Sequence, residues 1–326
     1  MTNSSLQVQA SDNKPKKKKQ VQFKRPPRKR VNGIVLLNKP AGYSSNGILQ
    51  KVIRAFNAKK GGHTGALDPF ATGLLPICLG EATKVSGLLL ESDKIYTATL
   101  KLGEQSDTGD IEGEVIKTVK VPKLTEPLIT DVFNQFIGDI EQIPPMYSAL
   151  KHQGKPLYFY ARQGIEIERP PRPIKVLKLN LLGFSENEIK FDVHCSKGTY
   201  VRTLGEDLAA ALGTVGHLTA LHRTQTGTIS GEDMLTLEQI EQQLNACLKP
   251  LDIALQNIER LDLNTEQADF ICHGGKLKVA KPKTDLVRLY HNDVFIAVGE
   301  WQYEKELLKP KRVFNLDIEQ DKADAV

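Results

Sequence analysis

Residues 61–76, GGHTGALDPFATGLLP, place one carboxylate, Asp68, and one imidazole, His63, among glycines and turn-forming residues. Glycine lets a backbone approach a ligand closely, and a residue before proline is pushed out of the helical region. Asp68 ahead of Pro69 therefore projects from a loop. A carboxylate held on a constrained turn can act as nucleophile or base. Asp before Pro is equally a common turn or cap residue, and the residues alone leave both readings open. Asp107 and Asp110 lie in a separate polar loop, so spacing offers no acid–base pair of the kind a glycosidase uses.

Other chemistries lack their residues. No G-x-G-x-x-G opens a helix after a strand, and there is no G-x-x-x-x-G-K-[ST], H-E-x-x-H or G-x-S-x-G, so neither a nucleotide cofactor nor a metal is expected. Cys78, Cys195, Cys247 and Cys272 are scattered without C-x-x-C pairing or zinc-ligand spacing, as reduced thiols would be. A second chemically distinctive segment is residues 144–173. There Tyr147, Tyr158, Phe159 and Tyr160 alternate with Lys151, His152, Lys155, Arg162, Arg169 and Arg172 between prolines. Flat rings beside cations suit a surface that grips phosphates and stacks on bases, and a proline-bounded surface insertion has the same composition.

These residues need elements to hold them. Ile34 to Leu37 reads as a buried strand, and Ser45 can cap a helix with Ile48, Leu49, Val52, Ile53 and Phe56 on one face. Residues 81–90 are amphipathic. Tyr96, Ala98, Leu100 and Leu102 alternate as a strand, as do residues 115–121, so two antiparallel strands joined by a polar loop are expected. Ile189, Phe191, Val193 and Cys195 alternate into Ser196-Lys197-Gly198. Tyr200-Val201-Arg202 then leads into a helix through Leu204, Leu208 and Leu212 that Gly213 stops. A helical pattern spans 237–248, a boundary falls within 252–260, and the rest reads as a small β appendix: a helix after Thr265, a Gly274-Gly275 break, and strands 286–290 and 294–298.

With 326 residues, 40% hydrophobic and 25% charged, the chain has room for about two domains and a sizeable core. Its apolar runs are far short of the ~20 residues that span a bilayer. The first ten residues lack the basic and apolar regions of a secretory signal, so a cytoplasmic protein is expected. Residues 1–32 hold seven Lys and three Arg against Asp12, a net +9 within a chain total of +5. Such a segment reads as a disordered basic arm that tracks nucleic-acid phosphates or serves as a solubility tail.

Residues 61–76, with Gly80-Glu81-Ala82-Thr83-Lys84 and Ser92-Asp93-Lys94-x-Tyr96, closely resemble the TruB family of tRNA pseudouridine synthases. The likeness continues through residues 138–151, Gly164-Ile165-Glu166 and residues 195–203, and weakens after Leu251. It implies an α+β fold: a catalytic domain over 33–250 with a mostly antiparallel bent sheet, flanking helices and a thumb-like insertion at 144–173. A PUA-like RNA-binding β domain over 251–316 and a tail over 317–326 complete the expected plan. It also implies isomerisation of the T-loop uridine 55 of tRNA to pseudouridine after base flipping, with no cofactor, no metal and no guide RNA. The expected enzyme is a cytoplasmic monomer that meets the tRNA T arm and no membrane, with an accompanying tRNA-folding activity. A noncatalytic RNA-binding or tRNA-folding protein is the competing class.

By this resemblance Asp68 is the catalytic aspartate, acting covalently at sugar or base or assisting elimination at the sugar, and Arg202 is its charge partner. Tyr96 stacks on the target base and places its hydroxyl for the C5 proton, Tyr200 and Leu221 line the base, and His63 enters the space the flipped base vacates. Tyr96 and Tyr200 are both expected on strands, and Lys39 beside the active-site loop is expected as structural support. Phe70, where an aliphatic residue is common, and the basic arm depart from the family pattern without touching the chemistry.

Overall fold

The computed structural model describes residues 27–316, so residues 1–26 of the basic arm and the tail 317–326 lie outside the described residues. The chain runs in order through β1 (Gly33–Lys39), α1 (Ser45–Ala55), β2 (Gly61–His63), β3 (Thr72–Leu79), α2 (Ser86–Leu90), β4 (Lys94–Leu102), β5 (Glu104–Ser106) and β6 (Val115–Thr118). Next come α3 (Glu126–Gln135), β7 (Gly138–Gln142), β8 (Lys151–His152), β9 (Lys155–Pro156), α4 (Leu157–Ala161), β10 (Arg172–Phe184), β11 (Glu188–Cys195), α5 (Val201–Ala211), β12 (Gly216–Thr226) and β13 (Ile229–Ser230). Then follow α6 (Leu237–Gln243), β14 (Glu259–Asp262), α7 (Thr265–Cys272), β15 (Leu286–His291), β16 (Val294–Gln302) and β17 (Leu307–Val313).

The main sheet has the order β1-β3-β12-β4-β11-β10-β7, with β2 added on β3 and β13 on β12. Every pairing in it is antiparallel except β3 with β12, where His222 meets Thr72 and Arg223 meets Gly73. This two-residue parallel contact joins the two halves of the sheet. Gly73 makes it possible: its φ is +98°, and a Cβ there would lie 2.4 Å from the Arg223 carbonyl oxygen. Alternate residues of β1 face opposite sides, Val35 and Leu37 into the main core and Ile34 and Leu36 into a second one. Both sides are covered, which is why β1 and β3 read as apolar runs rather than alternations. Helices α1, α3, α5 and α6 close the main core, while α2 and the C-terminal β domain cover the other face. That domain is a four-stranded sheet, β14-β15-β16-β17, with its own core under α7.

The α+β plan with a mostly antiparallel sheet matches the expectation, and several local readings change. The α1 cap is Ser44, whose hydroxyl accepts from Gly47 N, and Ser45 turns inward to the loop described below. Residues 81–90 divide into a 3-10 turn over Gly80–Lys84 and the short α2. Strand β6 pairs with β5, not with β4. The helical pattern over 237–248 stops at Gln243 and continues only as a 3-10 turn, Leu244–Cys247. Residues 27–32 of the basic segment are docked: Lys29 exchanges backbone hydrogen bonds with Asn57 and Lys59 beyond α1, and Asn32 accepts from Glu81 N. Among the described residues no helix is long and apolar enough to cross a membrane.

Candidate active site

Asp68 sits in the loop between β2 and β3, and three anchors hold that loop. The Ser45 hydroxyl accepts from Leu67 N at 2.7 Å and lies 2.9 Å from Leu67 O, where it donates. The fully buried Lys39 ammonium donates to the carbonyls of Pro40, Pro69 and Ala71 at 3.0, 3.1 and 2.6 Å. Burial holds the Lys39 amine down to about 8, with Asp68 opposing. The Arg223 guanidinium grips Gly65 O at 3.0 Å and Leu74 O at 2.7 Å. One anchor therefore comes from α1, one from β1 and one from β12, fixing the turn from three sides.

Arg202 meets Asp68 from the first turn of α5. Its Nε lies 2.9 Å from Oδ2 and its Nη2 donates to Oδ1 at 3.3 Å, so the planar fork spans both carboxylate oxygens. Nη1 reaches Asp110 Oδ2 at 3.2 Å and donates to Thr108 O at 2.6 Å, while Nη2 also donates to Tyr147 O at 2.7 Å. Arg202 is 3% exposed, and a cation in a first turn also opposes the helix dipole. Its two carboxylates offset both costs. Sequence spacing gave no sign of the Asp110 contact, because Asp110 arrives from the loop between β5 and β6. Thr108 Oγ1 and Glu112 N orient it.

Asp68 keeps 36% of its side-chain surface open, into a concave cleft rather than across a convex surface. Desolvation in that cleft raises its pKa above the usual carboxylate value, Arg202 pulls it down, and Asp110 pushes it up again; the balance is upward. The cleft measures about 280 Å³, near the small end of ligand pockets and sized for one nucleoside. Tyr96 from β4, Leu221 from β12 and Tyr200 line it beside Asp68 and Arg202. Burial raises the pKa of both tyrosines, which keeps their hydroxyls protonated at neutral pH.

Tyr96 is on a strand as expected, but Tyr200 is the N-cap of α5 with extended backbone, held by reciprocal bonds to Gln142 at the end of β7. Five of the six expected site residues therefore converge on one cleft. His63, on β2, is not among the residues lining it. Its Nδ1 is buried without a hydrogen-bond partner, and burial followed by the nearby Arg223 charge lowers its basicity. Sequence reasoning missed Arg223 and Lys94, which also line the cleft. Among the described residues no group of three His, Cys, Asp or Glu side chains could hold a metal ion.

The insertion before β10 forms one wall. Ser148 and Ala149 line the cleft, the β8–β9 hairpin leads into α4, and Lys155 and Arg162 lie over the rings of Phe159 and Tyr158. Those two rings are exposed.

Comparison with known proteins extends over nearly all of the described chain. The model for the TruB family pseudouridylate synthase N-terminal domain matches residues 53–201. The model for the tRNA pseudouridylate synthase B C-terminal domain matches 202–256, and that for the C-terminal region of pseudouridine synthase II TruB matches 260–314. The tRNA pseudouridine synthase B of Hydrogenovibrio crunogenus is 63% identical over 289 residues, 88% of this chain and 95% of the relative. That of Aeromonas salmonicida is 48% identical over 308 residues, 89% and 96% of the two chains. Among solved structures, a chain of a Cbf5-Nop10-Gar1 complex superposes with a TM-score of 0.65 at 25% identity, covering 82% of this chain and 78% of that one.

Proposed function

Because the chain belongs to the TruB family of pseudouridylate synthases, we infer that it isomerises the T-loop uridine at position 55 of tRNA to pseudouridine. The N1–C1′ bond breaks, the uracil turns while held, C5 bonds to C1′, and the C5 proton leaves. The observation that carries the assignment to residues is the buried Arg202 fork on Asp68 at the wall of a one-nucleoside cleft.

Asp68 acts at the sugar or base and must be ionised to do so. Desolvation works against that state, and Arg202 supplies the permanent positive charge that opposes protonation. Tyr96 stacks on the base with its hydroxyl toward C5, and Tyr200 and Leu221 complete the apolar lining. Flipping the stacked uridine costs a few kcal/mol. His63, outside the cleft, enters the space that the flipped base leaves in the loop. The insertion over 144–173, with its exposed rings and cations, orders around the T arm. The C-terminal unit over 251–316 acts as a PUA-like RNA-binding domain, and the basic arm adds phosphate contacts. The enzyme works in the cytoplasm as a monomer without a guide RNA, and the same RNA-gripping surfaces support tRNA folding.

The test is tritium release from a tRNA transcript labelled at uridine C5, with the modified position mapped afterwards. Asp68→Asn, which leaves Arg202 paired with Asp110, is expected to bind tRNA within about threefold of wild type and to release no tritium. Normal release by that variant would remove Asp68 from the reaction. Tight binding without release by the wild type would instead make this an RNA-binding or folding protein.

A further inference from the structure

We infer that Arg223, with Lys94 beside it, is a further catalytic residue: its guanidinium holds the negative charge that uracil carries once the N1–C1′ bond has broken. This rests on the synthase reading above.

Arg223 is 1% exposed and stands on β12 opposite Tyr96 of β4. Its Nε and Nη2 donate to the carbonyls of Leu74 and Gly65, and among the described residues it forms no ion pair. Lys94, also buried, donates only to the carbonyls of Leu89, Leu90 and Ser92. Both cations line the cleft that holds Asp68. Arg202 in the same cleft has two carboxylates, whereas among the described residues neither Arg223 nor Lys94 forms an ion pair, and Asp93 and Glu91 reach Lys94 only through space. Uncompensated buried charge is costly, and a fold that keeps it has a use for an anion there. Burial together with the Arg223 charge lowers the Lys94 amine to about 8, consistent with two cations competing for one low-dielectric space.

The chemistry decides which anion. The cleft takes one nucleoside, so the phosphates of a flipped nucleotide stay at its mouth while the base enters. Bound uridine is neutral. When N1–C1′ breaks heterolytically, its electron pair leaves with the base, and the charge spreads over N1, O2 and O4. The sugar is balanced by an Asp68 oxygen bonding to C1′, or by loss of a C2′ proton to that carboxylate. After the uracil turns, C5 bonds to C1′ as the Asp68 oxygen leaves C1′, or, on the elimination route, as the protonated carboxyl returns its proton to C2′; the C5 proton then leaves to a base in the site. Both routes at the sugar pass through uracil anion beside Arg223. A guanidinium that meets charge only after cleavage raises the rate rather than the affinity. Tyr96, paired with Arg223 across β4 and β12, lines the cleft beside it.

Fluorine at C5 acidifies N1 and so supplies internally part of what Arg223 supplies. The experiment follows single-turnover cleavage of the N-glycosidic bond, by nuclease digestion and chromatography, in tRNA carrying uridine or 5-fluorouridine at the target. Arg223→Gln should slow cleavage of the uridine tRNA by about 100-fold or more, with tRNA affinity within about threefold of wild type. Its loss on 5-fluorouridine should be at least about tenfold smaller, and Arg223→Lys should recover at least about tenfold on uridine. Equal losses on the two substrates, or a loss confined to affinity, would overturn the inference. If Arg223→Gln does not fold, the same pair is run with Arg223→Lys, whose displaced charge should show the same inequality; equal losses there overturn it too. A wild type that cleaves neither tRNA refutes the synthase reading instead.

Discussion

Replacing Arg202 with lysine keeps a positive charge and removes the planar fork, which separates charge from geometry. Arginine here spans both oxygens of Asp68 while reaching Asp110, Thr108 O and Tyr147 O. A lysine ammonium can sit on one carboxylate but not bridge the two, and it abandons at least one carbonyl. A unit charge about 4 Å away in an effective dielectric near 20 is worth about 4 kcal/mol at full strength. Losing part of that favours the protonated carboxyl and raises the Asp68 pKa further. The direction follows from Arg202 being the main influence that favours the ionised form, against burial and Asp110. Because the ionised form is the active one, the acid limb of the rate profile moves to higher pH. The variant then suffers more at pH 6 than at pH 8. The plateau also falls about 100-fold, since a loosened loop misplaces the carboxylate by a fraction of an ångström to an ångström. Two lost charge-assisted hydrogen bonds cost about 3 kcal/mol, or roughly 4–5 °C in melting temperature for a protein of this size. Single-turnover tritium release between pH 5.5 and 9, with a thermal melt as control, reads all of this. An unmoved limb at an unchanged rate, or a limb that moves down, would refute the charge-partner role.

Three further outcomes test the frame around the site. Ser45→Ala removes both side-chain bonds to Leu67 and should cost about 1–2 kcal/mol in urea unfolding while lowering kcat more than it raises KM; a change in KM alone would show that the loop is held without Ser45. Gly73→Ala forces an L side chain into φ +98° and a Cβ onto the Arg223 backbone, so it should destabilise by more than about 3 kcal/mol. A wild-type melting temperature would mean that the β3–β12 contact is not essential. Deleting residues 1–26 removes Lys14, Lys16, Lys17, Lys18, Lys19, Lys24 and Arg25. It should weaken tRNA binding and flatten the slope of log affinity against log salt, and an unchanged slope would make the arm a solubility tail.

Elements with an unbroken period were legible in the sequence. Strands β4 and β11 and helices α1 and α5 keep one phase from end to end, and their buried residues fall where the pattern puts them. Strands β10 and β12 do not. Register shifts lie between Val176 and Lys178 and between Leu181 and Gly183 in one, and between Leu218 and Ala220 and between Arg223 and Gln225 in the other. Each bulge resets which side chains face inward, so the alternation that marks a strand dissolves. Strand β17, with Pro310 among Lys309, Lys311 and Arg312, carries none of the usual marks, because it is an edge strand whose proline sits at a register shift.

The reactive loop, its likeness to a known family and the local elements around Asp68 can be read from the chain, since turn chemistry and short-range periodicity are written in neighbouring residues. Only the tertiary structure decided what surrounds that carboxylate. Arg202 is 134 positions from Asp68 and 92 from Asp110, and Arg223 is 158 from the Gly65 carbonyl it holds. No local pattern encodes those meetings. They exist because β12 lies against both β3 and β4, and because α5 packs so that its first turn points at the loop. Which cation is neutralised and which is left facing the cleft is therefore a property of strand order and helix placement, decided by long-range packing.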